Sequence, residues 1–409
     1  MVNFQENQEL MDNAEIVYIN GIVGVNSMEE LINKIHQGHA IDVLKEFPDK
    51  FINMVMTSPP YWALRDYGEG TERIWDADEN CEHNFEIIER QLHSGTLDLT
   101  KTVHHALKVG ALKTDWKTKD GFCNKCGAWK GQLGLEPTFD LYIKHLCDIF
   151  DEVKRVLRDD GTIWVNIGDS YNSHGETGKK DKHKYGGFSK VEHLHAGGVK
   201  NYPSKCLCQV PFRFAIEMVN RGWILRNTII WHKRNCMPSS VKDRFTIDFE
   251  YIFFFSKKKK YYFEQQFEPY SEESIKDFLG RKKRGVLRWG TGKTSKNWGT
   301  NLDADKKGRS RNEFYSNPQG RNKRATWTIN PQPFPDAHFA VFPPELCETP
   351  IKAGCPEKGI VLDPFAGSGT ACLVAKQMGR RYVGIDINEK YVKMAKKRLA
   401  KNPVITDWI

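Results

Sequence analysis

The chain has 409 residues and a formal net charge of +9 at pH 7, and aromatic residues make up 12% of it. This length exceeds that of one simple domain and leaves room for a large catalytic core with insertions, while the positive charge favours a polyanionic partner. No apolar run approaches the roughly 20 residues of a membrane helix, and residues 1–13 are polar and acidic, unlike a signal peptide. We therefore expect a cytoplasmic protein with no membrane partner, in which the ten cysteines are thiols or metal ligands.

The first informative stretch follows a short apolar run. Residues 51–56 predict a buried strand, and the sequence Thr-Ser-Pro-Pro-Tyr-Trp occupies residues 57–62. Two consecutive prolines cannot continue a central strand, so the chain must leave the sheet here as a stiff, extended loop. The loop carries a hydroxyl, carbonyls freed from the strand ladder and two aromatic faces, which together suit a flat polar ring. Because ligands bind at the carboxyl ends of strands in open α/β sheets, we expect a binding site here.

Residues 78–130 form an insertion that contains four potential metal ligands. They are Cys81, His83, Cys123 and Cys126. A Cys-x-x-Cys pair followed by glycine is typical of a zinc-binding turn, because the glycine lets backbone amides face the sulfurs. The Cys-x-His pair would complete a tetrahedral site, although its spacing is tighter than usual. We predict structural zinc, since four protein ligands leave no open position for chemistry, and free thiols are the alternative.

The next segment, residues 131–261, continues the alternation of helices and strands. Helices are predicted over 139–157 and 210–220, and strands over 162–167, 223–231 and 250–255. Within this segment, residues 172–205 are rich in glycine, lysine and histidine, which predicts a mobile basic loop. The loop either follows the phosphates of a nucleic acid or is a solvated insertion without contacts.

Residues 262–325 are basic, and aromatic residues lie between their charged clusters. The clustered cations that we select as DNA-binding candidates are Arg281, Lys282, Lys283, Arg284, Arg309 and Arg311. Lysine and arginine contact phosphates and thereby position a nucleic acid, and arginine and asparagine side chains read base edges. The alternative is a basic, partly disordered linker.

The strand predicted at residues 360–362 leads into the sequence Asp-Pro-Phe-Ala-Gly-Ser-Gly-Thr at residues 363–370. Gly367 and Gly369 lack side chains, so the backbone can approach a ligand closely. About 20 residues beyond this loop, Asp386 ends the next strand, where an acidic side chain accepts hydrogen bonds from ribose hydroxyls. A phosphate cradle would need a lysine after the last glycine, and its absence disfavours a nucleoside triphosphate.

Together, the Ser-Pro-Pro-Tyr sequence at residues 58–61 and the glycine loop at residues 363–370 resemble the amino-methyltransferases of DNA. The catalytic loop precedes the cofactor loop, which is the permuted order of the β group of that family. The resemblance implies an α/β fold with a Rossmann-like methyltransferase sheet: mixed, mostly parallel, in permuted order and with helices on both faces. It also implies S-adenosyl-L-methionine as the cofactor and double-stranded DNA as the partner.

The same resemblance assigns roles to individual residues. The catalytic residues would be Ser58, Pro59, Pro60 and Tyr61. The cofactor-binding residues would be His39, Thr57, Asp363, Phe365, Gly367, Ser368, Gly369, Thr370 and Asp386. His39 stands where the family commonly has an acidic residue beside the adenine, and a neutral imidazole can still make one hydrogen bond. Asp169 either borders the pocket for the target base or caps a helix.

The chain is therefore expected to divide into consecutive parts. These are an N-terminal extension (1–32), a catalytic half (33–77 and 131–261) interrupted by the small zinc-binding insertion (78–130), a target recognition region (262–325) and an S-adenosylmethionine-binding half (326–409). The resemblance accounts for the recognition region, because the family places it between the catalytic and cofactor halves.

We expect a site-specific methyltransferase that acts on the exocyclic amine of a flipped base. The serine variant of the motif resembles mostly cytosine-N4 enzymes, so cytosine N4 is our prediction and adenine N6 the alternative. Methylation at carbon 5 would need a cysteine after a proline, but Cys236 follows Asn235 and Cys355 precedes Pro356. A non-catalytic DNA-binding protein and an RNA methyltransferase are further alternatives. In a prokaryotic or phage-infected cell, such an enzyme either protects DNA from a cognate restriction endonuclease, which would then be its partner, or regulates genes, and the sequence leaves both alternatives open.

Overall fold

The computed structural model describes residues 28–93, 115–172, 199, 202–276, 320–332 and 342–402, except Arg65, Glu69 and Ser274. The helices are α1 (Met28–Leu31), α2 (Ala40–Lys45), α3 (Phe139–Val156), α4 (Val210–Asn220), α5 (Pro344–Gly354), α6 (Thr370–Gln377) and α7 (Glu389–Ala400). The strands are β1 (Lys34–Gln37), β2 (Ile52–Thr57), β3 (Arg73–Trp75), β4 (Phe85–His93), β5 (Asp115–Cys123), β6 (Trp129–Gly131), β7 (Leu157–Ile167), β8 (Ile224–His232), β9 (Phe249–Ser256), β10 (Phe267–Glu268), β11 (Arg321–Asn322), β12 (Thr326–Thr328), β13 (Ile360–Asp363) and β14 (Arg381–Asp386).

The main sheet has eight strands in the order β1-β14-β13-β2-β7-β9-β8-β12. All neighbours pair in parallel except β9, which runs antiparallel to both β7 and β8. Strand β13, which leads into the glycine loop, comes late in the sequence yet lies beside β2 in the middle of the sheet. The mixed, mostly parallel sheet in permuted order is therefore confirmed.

Two hydrophobic layers cover the two faces of the sheet. The first layer packs α2, α3 and α4 against the sheet, and the second packs α5, α6 and α7. Side chains of a strand alternate between its faces, so Ile163 and Val165 of β7 join the first layer and Trp164 joins the second. Trp164 stacks on Phe254 of β9 with ring centroids 4.0 Å apart. Helices on both faces explain why the central strands are apolar almost throughout.

Helix α3 follows the predicted apolar spacing, and the Oγ1 of Thr138 caps it by accepting the Leu141 N–H at 3.2 Å. The strand predicted over 162–167 is longer than expected, because β7 already begins at Leu157. The polar residues 159–161 were expected to form a break after the helix. Instead they lie in this strand, opposite a register irregularity in β2.

Residues of the insertion form a separate antiparallel sheet in the order β3-β6-β5-β4. This sheet includes Arg73–Trp75 and so begins earlier in the chain than the predicted boundary at residue 78. It docks on α3 through His145, whose ring stacks on Trp75 and on Trp129 with centroids 4.4 and 5.5 Å away. The Nδ1 of His145 lies 3.1 Å from Oε1 of the buried Glu136, and burial raises the pKa of that carboxyl group.

The short ladder of β10 and β11 brackets most of the predicted recognition region. Glu268 of β10 accepts from Arg321 at 2.8 Å and from Arg324 at 2.6 Å. The six DNA-binding candidates at 281–284, 309 and 311 lie outside the described residues, as do 173–198 of the predicted basic loop. Among the helices that are described, none has the length and apolar character needed to cross a membrane.

Candidate active site

The site lies where β2 and β13 end side by side. Val55 pairs with Leu362, so the loop after Thr57 and the glycine loop after Asp363 leave the same edge of the sheet. The Oγ1 of Thr57 donates to Oδ1 of Asp363 at 2.6 Å, and both side chains are buried. The structure thus brings together the two motifs that are 306 residues apart in the sequence.

The Pro-Pro loop is fixed by hydrogen bonds to its carbonyls. The Pro60 carbonyl accepts the hydroxyl of Tyr142 from α3 at 2.7 Å, and the Trp62 carbonyl accepts the hydroxyl of Ser170 at 3.0 Å. By contrast, the Pro59 carbonyl has no hydrogen-bond partner in the part of the chain that the structure describes. The Pro59 carbonyl, which precedes these two occupied carbonyls, is therefore available as an acceptor within the described chain.

One expectation for this loop is corrected. Trp62 does not offer an aromatic face to a ligand, because only 2% of it is exposed. Its ring packs edge-on against Phe139, and its indole N–H donates to the Glu136 carbonyl at 2.9 Å. Tyr61 is the aromatic residue that this loop keeps at the site.

Tyr61 is held by a polar network. Ser58 Oγ donates to the Tyr61 hydroxyl at 3.3 Å, and this hydroxyl has two acceptors: Glu250 Oε2 at 2.8 Å and Asn166 Oδ1 at 3.0 Å. Burial, followed by the neighbouring carboxylate, raises the pKa of Tyr61 well above its usual range, so the phenol keeps its proton. The ring lies against Gly168, where an added Cβ would be 2.6 Å from Tyr61 Cε2.

The sequence analysis assigned no role to four residues that hold this loop and its network, which are Glu250, Asn166, Lys233 and Tyr142. Glu250 of β9 also accepts from Asn166 Nδ2 at 3.0 Å and forms an ion pair with Lys233 through its other oxygen. Tyr142, the fixed donor to the loop, was treated only as a helix residue. The sequence feature that could have indicated this network is Glu250, a lone acidic residue in the apolar sequence Phe-Glu-Tyr-Ile-Phe at 249–253.

The glycine loop is shaped by Asp386 at the end of β14. Its two carboxylate oxygens accept the N–H groups of Gly367 and Asn388, each at 2.8 Å. Gly367 and Gly369 have φ values of +50° and +75°, which other residues adopt only with strain. A Cβ added at Gly367 would have no neighbour closer than 4.0 Å, so the loop is open to a ligand at this point. This open backbone cradle fits S-adenosylmethionine.

Ser368 and Thr370 turn away from that opening. Both are buried, and Arg398 of α7 donates to Ser368 Oγ at 3.2 Å and to Thr370 Oγ1 at 2.7 Å. The backbone N–H of Phe365 donates to Asp363 Oδ1 at 3.1 Å. These contacts hold the loop in its conformation.

Burial governs the titration of the acidic groups beside the loop. It raises the pKa of Asp363 to about 7 and that of Asp386 to about 6. Oδ2 of Asp363 is buried without a hydrogen-bond partner in the described chain, which disfavours the charged form. A cationic ligand at this edge would favour the ionised form of both groups.

His39 and Asp169 occupy different environments at this edge. Gly38 donates to the Asp386 carbonyl at 3.0 Å, which places His39 next to the end of β14. His39 caps α2 by accepting the Ile41 N–H at 3.3 Å, and burial lowers its pKa to about 4, so the imidazole is neutral. Asp169 Oδ1 accepts the N–H of Val210 at 3.0 Å, the first residue of α4, which favours its helix-capping role.

The four predicted metal ligands lie together in the insertion. The Sγ atoms of Cys81 and Cys123 are 3.8 Å apart, Cys126 Sγ is 3.3 Å from His83 Nδ1, and all four ligand atoms lie within 4.8 Å of one another. Two sulfurs bound tetrahedrally to one zinc ion at about 2.3 Å would be about 3.8 Å apart. The donor set and its spacing therefore fit zinc.

Comparison with known proteins agrees with this geometry. The sequence pattern of the DNA methylase family N6_N4_Mtase matches residues 52–397. The chain is 35% identical over 370 residues to the Type II methyltransferase M.SmaI of Serratia marcescens, covering 90% of this chain and 91% of that one. It is 32% identical to the Type II methyltransferase M.Cfr9I of Citrobacter freundii over 367 residues, covering 89% and 87% of the two chains.

A solved structure with a similar fold is the cytosine-N4-specific PvuII DNA methyltransferase, with 16% identity, a TM-score of 0.48 and coverage of 91% of this chain and 88% of that one. The family match and the curated relatives confirm the resemblance found in the two motifs. The chain belongs to the N4/N6 family of DNA amino-methyltransferases, in its β group, and is an S-adenosylmethionine-dependent enzyme.

Proposed function

We propose that the protein methylates the N4 amine of cytosine at specific sites in double-stranded DNA. The observation that carries this proposal is Ser58, a neutral hydroxyl in front of Pro59-Pro60 at the edge that also holds Asp363. The serine variant of the motif resembles mostly cytosine-N4 enzymes. Adenine N6 is the alternative target within the same family.

The exocyclic amine is a poor nucleophile because its lone pair is delocalised into the ring. Ser58 Oγ and the Pro59 carbonyl, which lacks a partner in the described chain, would each accept one N–H of the amine. These two bonds would pyramidalise the nitrogen and direct its lone pair towards the methyl group. Bound S-adenosylmethionine supplies that methyl group on a sulfonium centre. Positioning of this kind accounts for several orders of magnitude in rate.

The amine is inaccessible inside a duplex, so the base must be flipped out. Tyr61 would stack on it, a contact worth about 1–3 kcal/mol by analogy with single-strand binding. We further propose that residues 262–325, with the cations at 281–284, 309 and 311, contact the DNA. In a Type II restriction–modification pair, a cognate endonuclease would cut the same sequence when it is unmethylated, and both proteins would act in the cytoplasm.

We also propose that Cys81, His83, Cys123 and Cys126 hold a structural zinc ion. Zinc would fix the turn before β4 to the turn after β5. Four protein ligands would complete its coordination, so no role in methyl transfer is expected.

Product analysis tests the target base. DNA methylated by the protein is digested to nucleosides and weighed by mass spectrometry, and we expect N4-methylcytosine. N6-methyladenine as the sole product would establish the alternative. Unmodified nucleosides, in the presence of bound cofactor, would contradict catalysis itself.

The catalytic loop is tested by Ser58→Ala. Loss of the hydroxyl acceptor should lower the single-turnover rate by about a hundredfold or more, because the amine is no longer aligned. Cofactor affinity, measured by calorimetry, should not change. The matched control is Ser240→Ala, an exposed serine that should behave as wild type. Wild-type turnover in Ser58→Ala would remove Ser58 from the mechanism.

Cofactor affinity should depend on pH. Since burial raises the pKa of Asp386 to about 6, this carboxyl takes up a proton as the pH falls through that value and loses its attraction for a cation. Affinity should therefore fall below about pH 6, by up to tenfold per pH unit for each proton involved. Asp386→Asn should bind more weakly at pH 8 and lose this part of the pH dependence. An identical pH dependence in the variant would contradict the role of Asp386.

Metal analysis of the purified protein tests the zinc proposal. Mass spectrometry should find near-stoichiometric zinc, and Cys123→Ser should lose it because one of four ligands is gone. Cys236→Ser is the control, since this cysteine lies outside the cluster, and it should keep the metal. Wild-type protein without near-stoichiometric zinc would refute the proposal.

A further inference from the structure

Methylation of an amine leaves a proton that must go somewhere. The nitrogen becomes positively charged when the new bond forms, and one of its N–H protons must leave. Under the proposed function, on which this inference rests, Ser58 accepts one of these N–H groups, yet a serine hydroxyl is too weak a base to keep a proton at neutral pH. A final acceptor is therefore needed near Ser58.

The polar network behind Ser58 contains such an acceptor. Ser58 Oγ donates to the Tyr61 hydroxyl at 3.3 Å, and the Tyr61 hydroxyl donates to Glu250 Oε2 at 2.8 Å. Each member thus points its own proton towards the next, and the chain of donors ends at a carboxylate. We propose that Ser58, Tyr61 and Glu250 form a proton relay, with Glu250 as the group that receives the proton from the target amine.

The step balances as follows. The amine lone pair forms the new N–C bond, while the electron pair of the broken S–C bond stays on sulfur, which becomes a neutral thioether. An N–H proton passes to Ser58 Oγ, the serine proton passes to the Tyr61 oxygen, and the tyrosine proton passes to Glu250. The N–H electron pair returns to nitrogen. One sulfonium charge and one carboxylate charge disappear together, and the protonated Glu250 later releases its proton to solvent.

The alternative acceptor for Tyr61 cannot end the relay. Asn166 Oδ1 lies 3.0 Å from the hydroxyl, but an amide oxygen does not hold a proton at neutral pH. Asn166 instead donates its N–H to Glu250 Oε2 at 3.0 Å and so fixes the carboxylate that faces Tyr61. A charged acceptor also makes the stronger hydrogen bond, in agreement with the shorter distance.

Lys233 and partial exposure suit Glu250 to this task. Lys233 pairs with the other carboxylate oxygen, and the side chains of Lys233 and Glu250 are 18% and 21% exposed. Lys233 places a positive charge beside the carboxylate that faces Tyr61, and a methylated amine cation is acidic enough to protonate even a paired carboxylate. The residual exposure gives the proton a route to water after each turnover.

A positioning role alone would have a different signature. Glu250 also orients the Tyr61 ring, which lies against Gly168. If orientation were its only role, Glu250→Gln would retain most activity, because the glutamine carbonyl can still accept a hydrogen bond from the Tyr61 hydroxyl. Glutamine cannot accept the proton itself, so this variant separates the two roles.

The experiment compares single-turnover rates of five variants of the full chain: Glu250→Gln, Tyr61→Phe, their double variant, Ser58→Ala and Asp248→Asn. Glu250→Gln and Tyr61→Phe should each lower the rate by about a hundredfold. The double variant should be no slower than either single variant, since both interrupt one relay. KM for DNA and for the cofactor should be little changed. Asp248→Asn removes an acidic group two residues away from Glu250 and should match wild type.

The pH profile provides a second readout. The charged and titratable groups that face Glu250 among the described residues are Lys233, after β8, and Tyr61, in the Pro-Pro loop. The wild type and Glu250→Gln should differ in the shape of the pH dependence of the rate, whereas a purely positioning role of Glu250 would leave the two profiles with the same shape.

Several outcomes would overturn the relay. They are a rate for Glu250→Gln within threefold of wild type, additive losses in the double variant, or a loss that appears only as a higher KM for DNA. The activity of Ser58→Ala shows whether only the relay is wrong or the proposed function is wrong as well. If Ser58→Ala is inactive while Glu250→Gln is active, the relay alone is wrong; if Ser58→Ala is fully active, the catalytic loop is wrongly assigned.

Discussion

The active site depends on the parallel pairing of β2 with β13. This pairing, together with the buried hydrogen bond from Thr57 to Asp363, joins two segments 306 residues apart in the sequence at one edge of the sheet. This bond gives the buried Thr57 hydroxyl its acceptor, and a buried polar group without a hydrogen bond is costly in a protein interior. In the proposed mechanism, the distance between the target amine and the cofactor would therefore be set by the spacing of two neighbouring central strands.

Much of the fold and part of the site followed from the sequence because their signals are local. The apolar run at 51–56 and the Pro-Pro step predict a strand and its end within a few residues. The glycine loop, the strand after it and Asp386 likewise lie within about 25 consecutive residues, where spacing alone identifies a nucleoside-type site. The resemblance to the amino-methyltransferases added the permuted order, which links the two local signals.

The network behind Ser58 could not be predicted in the same way. Glu250 can take its proposed role only because β9 runs antiparallel to β7, which places it beside Asn166 and within reach of Tyr61. No short-range spacing encodes that contact. Trp62 was misjudged for the same reason: whether an aromatic residue after a strand faces a ligand or the core depends on where α3 packs, and α3 lies far along the chain.

The small ladder of β10 and β11 has a consequence for how such enzymes diversify. Phe267 pairs with Asn322, so the segment between these two residues begins and ends at neighbouring points. A segment anchored in this way can change in length at little energetic cost, since doubling a flexible loop adds only about 0.6 kcal/mol of closure free energy. Its residues can also be exchanged without disturbing the strands that align the reacting atoms. If residues 262–325 read the DNA sequence, as proposed, inherited changes in the sequence that is methylated would accumulate between these two anchors while the strands of the main sheet stay the same.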